Sequence, residues 1–205
     1  MRHGRTAWNA SGRFQGHTDI PLDDEGIAQA QALAVHLAAE HFDVGRTSDL
    51  SRATVTADAI GEARGIEVVR DPRLREMDFG TWEGKTWPQI AALGSGIALE
   101  MGFSAGDYTP PEGESFEHLC ERVQPVIAEI VAALPTDGNA LIVSHAGVMH
   151  ALMRLLLSPD DPAANTSRFV QAAILRLRGD GTWPWGVGAI NEQAAPLSSP
   201  RVHPP

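Results

Sequence analysis

The sequence predicts an α/β fold built on a mainly parallel sheet. Three observations carry this. Apolar runs of strand length alternate with amphipathic runs of helix length along the chain. The segment "NALIVS" (139–144) is apolar enough for a central strand buried on both faces. That strand stops abruptly at His145, ahead of another helical pattern, and the carboxyl ends of strands are where open α/β sheets build their sites.

Taken in order, residues 2–22 read as irregular, rich in Gly and polar groups. From Gly26 to Phe42, Ile27, Ala30, Leu33 (or Ala34) and Leu37 share one helical face, with Asp23 or Asp24 as the N-cap. "VGRTSDL" (44–50) reads as a weak strand or a loop. A second helix over 51–64 ends near Gly65, and "IEVV" (66–69) is a short strand. A short helix is expected at 86–93. Residues 94–113, glycine-rich and carrying Pro110-Pro111, read as a surface loop or lid. From Ser115 to Leu134 the stripe Phe116, Leu119, Val123, Ile127, Ile130, Leu134 marks an amphipathic helix, which Pro125 should kink. After the 139–144 strand, "HAGVMHALMRLLL" (145–157) is helical. Alternation over 172–177, the turn "GDGT" and "WPWGVGAI" predict a hairpin. One domain over 1–192 is followed by a loose Pro- and Ser-rich tail, 193–205.

Bulk properties exclude several function classes. A formal net charge of -10 argues against general binding to nucleic acid or anionic lipid. No apolar run is long enough to span a membrane, and no leader pattern opens the chain. The single Cys120 rules out an internal disulfide and fits a reducing cytoplasm. Lys85 is the only lysine beside many arginines, which reads as codon usage of a GC-rich genome.

Four stretches carry candidate chemistry. "RHG" is followed by Asn9, Arg13 and Gln15; "SDLSRA" sets Arg52 at a helix start; "LREMDFGTWEG" offers Glu76; "IVSHAG" ends a strand in His145. If these converge, one pocket holds two His, at least two Arg and a carboxylic acid. Paired Arg forks suit the oxygens of a phosphoryl group, and a helix N-terminus adds free N–H groups. A neutral His is a competent nucleophile, and a Glu can shuttle the proton of a leaving oxygen. Each residue also has an ordinary alternative: a solvated terminal His3, a surface Arg52, a solvated Glu76, a satisfied core His145.

"RHGRTAWN", "GRFQG", "PLDDEG", "SDLSRA", "LREMDFGTWEG", "EGESF" and "SHAGV", in this order, resemble the histidine phosphatase (phosphoglycerate-mutase-like) superfamily over roughly residues 2–190. The resemblance implies a three-layer α/β/α sandwich with the site at the carboxyl edge of the sheet. It implies that His3 becomes phosphorylated, that Arg2, Arg52 and His145 bind the phosphoryl oxygens, and that Glu76 is the proton donor. Asn9, Gln15, Gly16 and Ala146 match substrate-binding positions. Neither metal nor organic cofactor is implied, and the partner is a small phosphorylated metabolite. Should Glu76 only position substrate, Glu83 and Asp78 become the acid candidates. His17 is the remaining histidine that could border the pocket; the others, Cys120, Trp82 and Trp87 read as surface or core, and His145 with His150 lacks the i, i+4 spacing of a zinc pair. Mutases of the superfamily carry an "HYG" pattern after the acid and a longer insertion beyond it, both absent here, which favours a phosphatase. A bisphosphoglycerate-dependent mutase and a non-catalytic phosphate-binding module are the alternatives.

The resemblance also implies a short apolar strand running into RHG. Met1 stands at what would be its last residue. The expectation is that the strand is encoded upstream of a misread GTG start, with a sheet that has lost its first strand as the alternative. Without that strand, residues 1–3 are expected to be poorly supported.

Overall fold

The computed structural model describes residues 1–93, 109–165, 168–179, 182 and 184–197. Local caps set most helix starts. α1 (Ala7–Ala10) is one turn closed by a reciprocal box: Thr6 Oγ accepts from the Asn9 N–H and the Asn9 side-chain oxygen from the Thr6 N–H. α2 (Asp24–His36) begins where Asp23 accepts from the Gly26 N–H. β1 (Val44–Thr47), α3 (Ser51–Arg64) and β2 (Val68–Arg70) follow, with Gly65 ending α3 in the left-handed conformation. Short 3₁₀ turns, Pro72–Leu74 and Gly80–Trp82, precede α4 (Trp87–Ala91). Then come α5 (Phe116–Ala133), β3 (Ala140–Val143), α6 (Ala146–Leu156), a 3₁₀ turn at Pro162–Asn165, β4 (Ile174–Arg178) and β5 (Gly186–Glu192).

Three strands form a parallel sheet in the order β2-β1-β3, with Val44 opposite Ala140 and Gly45 opposite Val68. β4 and β5 form the expected antiparallel hairpin, with register shifts near Arg176. The alternation along β3 divides the core into two layers. Leu141 and Val143 meet Leu33 and Leu37 with Ala57 and Ile60 of α3. Ala140 and Ile142 pack on the opposite side against the α5–α6 pair. Helices on both faces give the predicted three-layer sandwich. No helix among the described residues is long and apolar enough to cross a membrane.

Several expectations change. "VGRTSDL" supplies the central strand of the sheet, because Gly45 lets the β2 backbone close in: a Cβ there would lie 2.8 Å from Glu67 O. α2 stops at His36 rather than running to Phe42, with Leu37 turning out of the helix as its C-cap. Ile27 is 43% exposed, whereas Ala30, Leu33 and Leu37 are buried. The first turn of α2 lies instead on the RHGR loop through Gly26, where a Cβ would sit 2.0 Å from Arg5 O. α5 includes Pro125 within its span, and Cys120 and Trp82 lie in the core as expected. The lid expected at 94–113 falls outside the described residues over 94–108, as does the end of the expected loose tail over 198–205.

Candidate active site

Residues 1–3 occupy the carboxyl end of the sheet beside β3. Ser144 N–H donates to Met1 O (2.8 Å) and His3 N–H to Ser144 O (2.9 Å), a parallel bridge of one residue pair. On the other side Arg2 N–H donates to Ala173 O (2.9 Å) and Ala172 N–H to His3 O (3.0 Å). The Met1 amine donates to Ile142 O (2.6 Å), and burial pushes its pKa down to about 5. This stub is therefore held on both sides, contrary to the expected lack of support. It joins the parallel sheet to the residues entering the hairpin.

His3 is buried, and its Nδ1 lies 2.6 Å from Gly4 O. A carbonyl only accepts, so Nδ1 carries the proton and Nε2 keeps its lone pair. Burial first, then the Arg52 and Arg2 guanidinium groups, hold His3 well below the usual histidine pKa, so the ring is neutral at pH 7. The His145 ring meets His3 edge-on, with centroids 5.1 Å apart, and is held neutral by burial and then by Arg52, His3 and Arg2.

Arg52 opens α3, fully buried. Its Nη1 donates to Thr18 O (2.9 Å) and its Nη2 to Gly16 O (2.8 Å). Arg2 Nη1 donates to Phe169 O (2.5 Å). The Nε of Arg2, the Nε of Arg52 and both ring nitrogens of His145 are buried without a hydrogen-bond partner among the described residues. Buried polar atoms are nearly always partnered, so the two Arg Nε–H groups and the single N–H of neutral His145 around one histidine suit an anion. Burial lowers the Arg2 pKa to about 10, which leaves the group charged at pH 7.

Glu76 is buried, and its Oε1 accepts from Met77 N–H (2.9 Å) and Gly147 N–H (3.0 Å) at the start of α6. Ala146 is the first residue of that helix, following His145. Gln15 is buried with its amide oxygen on Thr6 Oγ (2.9 Å), and the Asn9 amide oxygen is also committed to Thr6. The N–H₂ groups of both amides are thus their uncommitted donors. Gly16 serves through its backbone. It adopts φ +55°, and its carbonyl aims Arg52. His17 borders the site, with Nε2 3.0 Å from Glu76 O. Arg13 does not join it, turning instead to Gly84 O.

The reserve acids are otherwise employed. Glu83 Oε1 accepts from His17 N–H (2.7 Å), and Oε2 accepts from Thr18 N–H (2.8 Å) and Thr18 Oγ. It shapes the loop whose carbonyls hold Arg52. Asp78 Oδ1 accepts from Gly80 N–H (2.8 Å). These roles for Glu83, Thr18 and Thr6 were not expected; the only sequence signal was the compact "WEG". Among the described residues no group of three or more His, Cys, Asp or Glu could hold a metal ion.

Comparison with known proteins places the chain in a family. The sequence model of the histidine phosphatase superfamily (branch 1) matches residues 1–187. A glucosyl-3-phosphoglycerate phosphatase of Mycobacterium tuberculosis is 38% identical over 172 residues, covering 80% of this chain and 76% of that protein. A probable phosphoglycerate mutase GpmB of Serratia proteamaculans is 33% identical over 185 residues, covering 90% and 85%. Among solved structures, mycobacterial glucosyl-3-phosphoglycerate phosphatase complexed with VO₃ superposes with a TM-score of 0.81 at 34% identity, covering 93% of this chain and 96% of that one. The alpha-ribazole phosphatase of Shigella flexneri gives 0.78 at 29%, covering 97% and 98%. The chain belongs to the histidine phosphatase superfamily, and by class it is a phosphoric monoester hydrolase.

Proposed function

We propose that this chain hydrolyses phosphomonoesters of small cytoplasmic metabolites by two phosphoryl transfers through His3, without a metal ion. The observation that carries this reading is the His3 tautomer: with Nδ1–H tied to Gly4 O, Nε2 is free among the unpartnered nitrogens of Arg2, Arg52 and His145. Nε2 attacks phosphorus in line while the ester P–O bond breaks. Glu76 in its acid form protonates the departing oxygen, and the alcohol leaves. Charge on the three equatorial oxygens is met by Arg2, Arg52 and His145, with Asn9, Gln15, Gly16 and Ala146 lining the place of the substrate. Water then attacks phosphorus and gives its proton to the Glu76 carboxylate. The P–N bond breaks, and inorganic phosphate and neutral His3 are restored.

The GpmB relatives keep a second reading open, a phosphoglycerate mutase. Both share the phosphohistidine. Rapid quenching should trap phosphate on His3, labile in acid and stable in base, and His3→Ala should abolish turnover with the fold intact. An acid-stable phosphoenzyme, or activity lost to EDTA and restored by a divalent ion, would refute the metal-free phosphohistidine route. A panel containing glucosyl-3-phosphoglycerate and alpha-ribazole phosphate, with 3-phosphoglycerate plus bisphosphoglycerate primer as the mutase arm, ranks substrates by kcat/KM.

A further inference from the structure

Residues 73–76 belong to no strand of the sheet, yet each of their four carbonyls is taken by a side chain from elsewhere. Arg122 Nη1, on α5, donates to Arg73 O (2.7 Å) and Arg75 O (2.9 Å). Ser144 Oγ donates to Leu74 O (2.7 Å). Arg122 Nη2 donates to Glu76 O (2.8 Å). The rest of the guanidinium is clamped by Glu114, with Nε on Oε2 (3.0 Å) and Nη2 on Oε1. Glu114 Oε1 also accepts from Asp78 N–H (2.9 Å), two residues beyond Glu76. The side chains of Arg73 and Arg75 are turned to other partners, Arg73 to Asp71 and Glu129, Arg75 to Asp49. The backbone is thus gripped on both sides of Glu76 by one Arg–carboxylate pair.

We infer that Arg122, braced by Glu114, is the positioning residue for Glu76; this deepens the proposed function and rests on Glu76 being the proton donor. The planar guanidinium reaches three carbonyls and a carboxylate at once, which a lysine ammonium, a single point with three donors, cannot do. A reacting group displaced by about 1 Å can lose on the order of 10² in rate. An acid displaced in this way matters only when the leaving oxygen needs its proton. The loss from disturbing Arg122 therefore depends on the ester, which the loss of a merely structural contact does not.

The test compares Arg122→Lys, Glu114→Gln and Glu76→Gln on an alkyl phosphate and on p-nitrophenyl phosphate, with orthovanadate affinity measured in each. Amide hydrogen exchange is followed at Met77 and Gly147, the two donors to Glu76 Oε1. Arg122→Lys should lower kcat on the alkyl ester by roughly 30–100-fold and on the nitrophenyl ester by less than about 3-fold, vanadate affinity holding within about 3-fold. Glu114→Gln should fall between it and the parent protein. Protection at Met77 and Gly147 should drop while amides inside α5 keep theirs. Equal losses on both esters, no loss, or unchanged protection at the two amides would overturn the inference. If Glu76→Gln shows no ester selectivity, the proton-donor reading fails. The exchange result then still decides whether Arg122 holds Glu76 in place.

Discussion

Around His3, the Nε of Arg2, the Nε of Arg52 and the ring nitrogens of His145 are buried with no partner among the described residues, while along residues 73–76 every successive carbonyl has a side-chain donor. The two regions form one site but are built differently. In the first, donors are held ready and unspent, and burial raises their value for an arriving anion. In the second, the hydrogen bonds are spent on the backbone so that one carboxyl stays aimed. Satisfaction marks what is being held, and its absence marks what is meant to bind.

The largest break in this contrast comes at the anion side. Arg52→Ala should cost about 10²–10³ in kcat/KM on alkyl and nitrophenyl esters alike, with vanadate affinity falling in parallel. A loss confined to alkyl esters would move Arg52 to the Glu76 side.

Glu83→Gln sharpens the comparison more gently. One amide oxygen replaces two carboxylate acceptors, so the 16–18 loop loosens and Arg52 with it. We expect roughly a tenfold loss without ester selectivity, as the removal of a few buried hydrogen bonds would give. Selectivity for the alkyl ester would instead make Glu83 an acid.

Gly147→Ala probes the other side from α6. A Cβ there would lie 2.2 Å from Glu76 Oε1, so the carboxylate must move. A loss of about tenfold on alkyl phosphate, small on p-nitrophenyl phosphate, is expected on the same positional grounds. Vanadate affinity that drops as far as the alkyl rate would show the two regions to be one unit.

A further effect, apart from turnover, is on stability against pH. His3 and His145 are held well below the usual histidine pKa, and burial holds His150 at about 4. Above about pH 7 both folded and unfolded chains carry these rings neutral. As pH falls through about 6.5 the unfolded chain takes up protons that the folded one refuses. Stability therefore declines from about pH 6.5 towards 4, by up to about 1.4 kcal/mol per pH unit for each ring. Urea midpoints measured from pH 8 to 5 check this; a midpoint that rises on acidification contradicts the neutral cradle.

Helices with their own punctuation were legible in the sequence. α3 runs from Ser51 to Arg64 before Gly65 as read, and α5 follows its Ser115 cap and apolar stripe. His3, Arg52, Glu76 and His145 were legible as candidates because each lies inside a short motif, and the fold brings these motifs together. β1 was only half legible: four residues containing Gly45 and Arg46 lack a strand pattern, and its place at the sheet centre is set by neighbours at 68 and 140. Arg122 and Glu83 were illegible as to role for the same reason. The carbonyls Arg122 holds and the amides Glu83 holds lie tens of residues away, and no local periodicity reports a backbone group that will need a partner. His3 is seated by backbone hydrogen bonds to Ser144 and Ala172, which need no particular side chain and so leave no pattern in the sequence.

Those same hydrogen bonds set an order in time. Residue 3 leaves the ribosome early, but its acceptor at residue 144 and its donor at residue 172 are made last. At about 5–20 residues per second, roughly 10–30 s separate the synthesis of His3 from that of its seat. A chain that has not yet reached residue 172 thus carries His3 without the backbone partners that seat it, and the site assembles only after that stretch is made.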